Sequence, residues 1–221
     1  DWYDASTGGT LLGTGSSFTT PSITATTTYY AEARNTTTGC ISATRLAVTA
    51  TVNVVPNPPV PTPASRCGTG IVTLTATGAG TIQWYSDAGL TTQVATGTSF
   101  TTPSLSATTP YYITVTSAQG CVSIANSVTA TINPIPTAPA VTPGARCGTG
   151  TVNLTATPGA GETIDWYNAL TGGTLLLSGS NSYATPSISA TTNYFVVARN
   201  ITTGCVSSTR TQVTATVNSI P

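Results

Sequence analysis

The chain has 221 residues, a net charge of zero, only 5% charged side chains and 39% hydrophobic residues. That balance excludes a disordered polyelectrolyte. It also excludes nucleic acid as a partner, because phosphate contacts need clustered basic residues, whereas Lys is absent and the six Arg are scattered. No apolar run approaches the ~20 residues that span a bilayer, so membrane insertion is not expected in this segment.

The 51 Thr, together with Val, Ile and Tyr, favour strands, and 21 Gly and 15 Pro punctuate them with turns. The chain opens on Trp2-Tyr3 inside a predicted strand. A turn-rich stretch, Thr20-Pro21-Ser22, the pair Tyr29-Tyr30, the dipeptide Gly39-Cys40 and a Val-Thr-Ala-Thr strand at 48–51 follow. A Pro-rich segment from Val55 to Pro63 then leads into Arg66-Cys67-Gly68-Thr69-Gly70. Strands are predicted near Val60 and over Ile71 to Thr77, Thr81 to Ser86, Gln93 to Ala95, Ser99 to Thr101, Tyr111 to Thr116 and Val122 to Ile132. Seven strands in ~80 residues is the density of a small β-sandwich.

The same order recurs. Trp-Tyr pairs stand at Trp2-Tyr3, Trp84-Tyr85 and Trp166-Tyr167. Gly-Cys returns at Gly120-Cys121 and Gly204-Cys205, and the Arg-Cys-Gly-Thr-Gly opening at 146–150. Self-similarity at a fixed period signals a repeat architecture. The expected units are residues 56–135 and 136–221, with residues 1–55 as a truncated repeat lacking its first strands. Strands from a preceding copy or upstream sequence would complete that repeat. Pro-rich junctions predict semi-rigid spacing of neighbours. The first and third repeats share features that the second lacks, among them an Asp before the Trp.

The Cys…Trp…Cys order within a seven-strand repeat predicts disulfides Cys67–Cys121 and Cys147–Cys205 around core Trp84 and Trp166, with Trp2 as their counterpart. Cys40 would then pair with a cysteine in the missing start of the first repeat. The rival pairing, Cys40–Cys67 and Cys121–Cys147, staples consecutive repeats, and spacing alone does not decide. Disulfides imply an oxidising, extracellular compartment.

Chemistry finds little support. Without His there is no triad base. The six acids, Asp1, Asp4, Glu32, Asp87, Glu162 and Asp165, do not form a recurring pair, so neither catalysis nor a metal or other cofactor is expected. Tyr3, Tyr85 and Tyr167 alternate with the Trp and face outward, which makes them candidates for stacking on surface glycans, although a packing role fits their recurrence better. Asn35 and Asn200 lie in Asn-x-Thr turns and are the accessible candidates for glycosylation.

The pattern Cys67-Gly68, Trp84-Tyr85, Thr102-Pro103, Tyr111-Tyr112, Gly120-Cys121 and Val128-Thr129-Ala130 resembles the immunoglobulin-like repeats of large secreted Bacteroidota surface proteins. These include gliding-type adhesins and multi-repeat proteins exported by the type IX secretion system. The resemblance implies an all-β chain of tandem immunoglobulin-like sandwiches in a stalk, filament or adhesin, with other copies or repeats of the same protein as partners. Repeats appended to a secreted polysaccharide-processing enzyme, as spacers or sugar binders, are the alternative.

Overall fold

A computed structural model describes residues 1–221. The first four strands, β1 (Trp2–Tyr3), β2 (Leu11–Gly13), β3 (Thr27–Ala31) and β4 (Leu46–Ala50), form one antiparallel sheet in the order β2-β1-β3-β4. The second repeat contains β5 (Val60–Thr62), β6 (Ala64–Cys67), β7 (Thr73–Thr77), β8 (Thr81–Tyr85), β9 (Gln93–Thr96), β10 (Ser99–Thr101), β11 (Thr109–Thr116) and β12 (Asn126–Asn133). The third contains β13 (Ala140–Thr142), β14 (Gly144–Cys147), β15 (Asn153–Thr157), β16 (Glu162–Tyr167), β17 (Leu175–Ser178), β18 (Ser182–Ala184), β19 (Thr192–Asn200) and β20 (Thr211–Asn218). In the second repeat a three-stranded sheet, β10-β7-β5, faces a five-stranded sheet, β6-β12-β11-β8-β9. The third repeats this plan as β13-β15-β18 and β14-β20-β19-β16-β17.

The single edge strand expected near Val60 is two strands. Pro63 separates them, and Pro143 does the same in the third repeat. Proline has no N–H for the ladder, so the chain changes partner there. β5 pairs antiparallel with β7, whereas β6 crosses to the other sheet and runs parallel to β12. The last strand starts at Asn126 rather than Val122. Ser123 intervenes: its hydroxyl accepts the Val115 N–H at 2.9 Å, replacing a ladder bond.

Side chains alternate as period two demands. In β7, Leu74 and Ala76 are buried between exposed threonines. Trp84 and Trp166 are fully buried, and their indoles donate to Gly97 O and Ser180 O at 2.8 Å each. Each Trp leads an aromatic row, Trp84–Phe100–Tyr111 or Trp166–Tyr183–Tyr194, with neighbouring ring centroids 5.0–5.7 Å apart. The recurring Thr-Pro has a structural task. Thr102 and Thr185 are buried, accept the Val72 and Val152 N–H at 3.0 Å, and donate to the following proline carbonyls at 2.8 Å.

In the first repeat no second sheet covers β1–β4. Trp2 is therefore only half-buried against Phe18, and Val48 is 39% exposed where its counterparts Val128 and Val213 are 4% and 2% exposed.

Gly80 closes the β7–β8 turn at φ +150°, with the Thr116 carbonyl oxygen where a Cβ would stand. Gly80→Ala is expected to lower stability by about 1–3 kcal/mol, read as a lower urea midpoint.

Candidate functional site

The junction between the second and third repeats is the most constructed place in the chain. β6 runs parallel to β12, with Cys67 opposite Asn133, so Cys67 lies at the end where the chain leaves the second repeat. In the third repeat β14 runs parallel to β20, so the chain enters at the end that carries the β19–β20 hairpin. That hairpin is built on Asn200, whose N–H donates to Cys205 O at 2.8 Å and whose side-chain oxygen accepts from Thr202 and Thr203. Gly204 supplies the required φ of +72°. The entry pole of one sandwich thus presents a thiol to the exit pole of the other. Cys67 and Cys205 form a disulfide with a Cα separation of 5.5 Å.

This corrects both expected pairings. Cys40, Cys121 and Cys147 are free, and Cys67 bonds to neither Cys121 nor Cys40. The reason is geometric. Cys67 lies opposite Asn133, while Cys121 precedes Asn126 at the other end of β12. Seven residues at ~3.3 Å each put the two cysteines more than ~20 Å apart, far beyond the ~7 Å Cα limit of a disulfide. Pro136 and Pro139 in the connecting segment are buried.

The outward tyrosines differ by repeat. The Arg45 guanidinium lies 3.3 Å over the Tyr3 ring, and that of Arg210 lies 3.5 Å over Tyr167. Each Arg also donates to two turn carbonyls, Ala5 and Gly8 or Ala169 and Gly172. One face of these two rings is therefore occupied. Tyr85 has no such cover: in the register set by Val48, Val128 and Val213, Ala125 stands where the other two repeats carry Arg45 and Arg210. A depression of about 540 Å³ beside Tyr167 is lined by Leu170, Val206 and Arg210.

The carboxylates are engaged in local structure. Asp165 accepts from Arg199 Nε at 2.7 Å and Ser178 Oγ at 2.6 Å. In the first repeat Asp1 accepts from Arg34 Nε at 2.6 Å, and Glu32 from Arg45 Nε at 3.2 Å. In the second repeat Gln83 replaces the acid and accepts from Thr114, Thr116 and Tyr85. Asp4 and Asp87 cap turns at Thr10, Thr91 and Thr92, and Glu162 accepts the Gly159 N–H. Asn35 uses its side-chain oxygen as Asn200 does, accepting from Thr37 and Thr38 at 2.9 Å.

Burial alone would raise the Asp165 pKa, but the hydrogen bonds and charge of Arg199, with Ser178 and Gly179, hold it below the ordinary value. A lowered folded-state pKa stabilises above the unfolded value of ~3.9, and that contribution fades as pH falls through the folded value. Asp165→Asn is therefore expected to cost about 1–2 kcal/mol near pH 6 and progressively less towards pH 2, measured from urea midpoints at both pH values.

The family model described as an Ig-like domain, CHU_C associated, matches residues 1–53, 56–134 and 136–219. No match was found among curated proteins. Among solved structures, the fibronectin(III)-like modules of Clostridium thermocellum CbhA align at 13% identity and TM-score 0.43, covering 71% of this chain and 90% of that one. A run of titin domains aligns at 13% and TM-score 0.45, covering 86% and 73%. Extracellular domains 3–5 of Drosophila OTK align at 14% and TM-score 0.44, covering 87% and 71%.

Proposed function

Because the chain belongs to the CHU_C-associated family of Ig-like domains, present here as tandem all-β repeats, we propose that it is a structural segment of an extracellular filament or giant cell-surface adhesin. The observation that carries this reading is the junction, where a disulfide bonds successive sandwiches across a Pro-rich segment. A disulfide spanning two repeats also favours an oxidising compartment outside the cytoplasm. The role is non-catalytic, in keeping with carboxylates committed to turns and ion pairs. Other copies or repeats of the same protein are its partners, and their strands cover the open face of β1–β4. Electron microscopy of the native protein is expected to show thin beaded fibres; a compact particle without them would overturn the proposal.

The second reading, sugar-binding or spacer repeats beside a polysaccharide-processing enzyme, is favoured by one observation: Tyr85 lacks the Arg cover of Tyr3 and Tyr167. It requires glycan-array binding that Tyr85→Ala abolishes. Silence across the array counts against it.

A further inference from the structure

We infer that the Cys67–Cys205 bond is one rung of a series. The cysteine closing the β6-type strand of one repeat bridges to the hairpin cysteine of the next, and Cys147 is the thiol that makes this bond with a repeat placed after the third. The inference concerns pairing alone and stands whether or not the filament reading holds.

The exit poles of the second and third repeats are built alike. Cys147 lies opposite Asn218 in parallel register, as Cys67 lies opposite Asn133. Gly148 N–H donates to Asn218 O at 2.9 Å, and Gly68 N–H to Asn133 O at 2.8 Å. The two glycines have φ of +69° and +67°, and the side chains of Ile220 and Ile135 occupy the space above them. Arg146 and Arg66 each donate through Nη1 to a backbone carbonyl at 3.1 Å, Thr151 O and Ile71 O. Arg146 adds a bond to Gly148 O that Arg66 lacks. Cys147 is exposed and carries a free thiol.

The entry poles match as well. Cys40, Cys121 and Cys205 are all presented by a hairpin whose first residue donates its N–H to the cysteine carbonyl, at 2.8, 2.9 and 2.8 Å. The preceding glycines have φ of +75°, +84° and +72°. Each complete sandwich therefore offers one thiol at each end, too far apart to meet each other. Residues 1–53 contain no counterpart of Cys67, and Cys121, which faces them, is free. The one place where a β6-type cysteine precedes a hairpin cysteine in the next repeat is the place where the bond exists.

Formation proceeds by exchange with a small-molecule disulfide such as oxidised glutathione. The Cys147 thiolate attacks one glutathione sulfur and expels the other as a thiolate. The hairpin thiolate of the next repeat then attacks the Cys147 sulfur and releases the second glutathione. Two protein thiols are oxidised, one glutathione disulfide is reduced to two thiols, and the two protein protons pass to the released thiolates or to solvent.

The test appends a second copy of residues 137–221 after Pro221. Asn218 to Pro221 occupies the register of Asn133 to Pro136, so the added repeat enters as the third one does. The chain is folded in a glutathione redox buffer, alkylated, digested without reduction and mapped by mass spectrometry. The expected peptides are Cys67–Cys205 and Cys147 joined to the added copy of Cys205, with Cys40, Cys121 and the added copy of Cys147 alkylated. A Cys67→Ser variant should still form the second bridge to the same extent. A bond from Cys147 to Cys205 or Cys121, or a Cys147 that stays alkylated while Cys67–Cys205 forms, overturns the inference. In the 221-residue chain itself, a Cys147–Cys205 or Cys67–Cys121 peptide would overturn it equally. Bridges without beaded fibres would count against the filament reading alone, and fibres without bridges against this inference alone.

Discussion

Trp166→Ala is expected to destabilise the third repeat by about 3–5 kcal/mol, the range for truncating a large buried aromatic. The indole is fully buried, 5.5 Å from Tyr183, and donates to Ser180 O. Its removal leaves a void and an unpaired carbonyl together. A sandwich of this size has little stability to spare, so the transition of the third repeat should separate from that of the second in urea titrations followed by Trp84 fluorescence and far-UV circular dichroism. The matching substitution of half-buried Trp2 should cost markedly less, because solvent already reaches that ring. Equal costs at the two positions would contradict the burial difference.

Cys67→Ser is the second large effect. The bridge closes a sequence separation of 138 residues, for which the chain-entropy relation gives about 5 kcal/mol against unfolding of the second and third repeats together. The oxidised wild-type chain should therefore unfold at higher urea than either the reduced chain or the Cys67→Ser or Cys205→Ser variants. Cys121→Ser and Cys147→Ser should retain the wild-type midpoint. An equal loss on Cys121→Ser would restore the pairing within one repeat that Cys…Trp…Cys order suggests.

That last contrast marks where sequence reading stopped. Periodicity placed the repeats and the tryptophans because both are local patterns. The partners of each tryptophan are harder to read: Phe100 and Tyr183 sit in three-residue strands, and Phe18 lies outside any strand, so alternation spans too few residues to mark them. Their signal was a lone aromatic ahead of each Thr-Pro-Ser. The disulfide is illegible for a different reason. The order of cysteines along the chain does not tell which end of a sandwich each occupies; that depends on β6 running parallel to β12. Pro63 and Pro143, each inside an otherwise extended segment, were the available hint that the edge strand changes sheets. Arg45 and Arg210 are silent for a third reason: an arginine stacked on an outward tyrosine leaves no mark in hydrophobic periodicity.

The parallel ladder between β6 and β12 has a mechanical meaning. If the reduced chain is pulled from its two ends, the opening and closing strands of each complete sandwich are drawn past one another along their length. All the bonds between β6 and β12, or between β14 and β20, then resist in shear at once instead of opening one by one. The Cys67–Cys205 bond changes the route of the load: the continuous covalent path runs from β6 through the bridge towards β20 and leaves residues 68–204 outside the line of tension. In the oxidised chain extension therefore stops at the bridge, and the two ladders are spared.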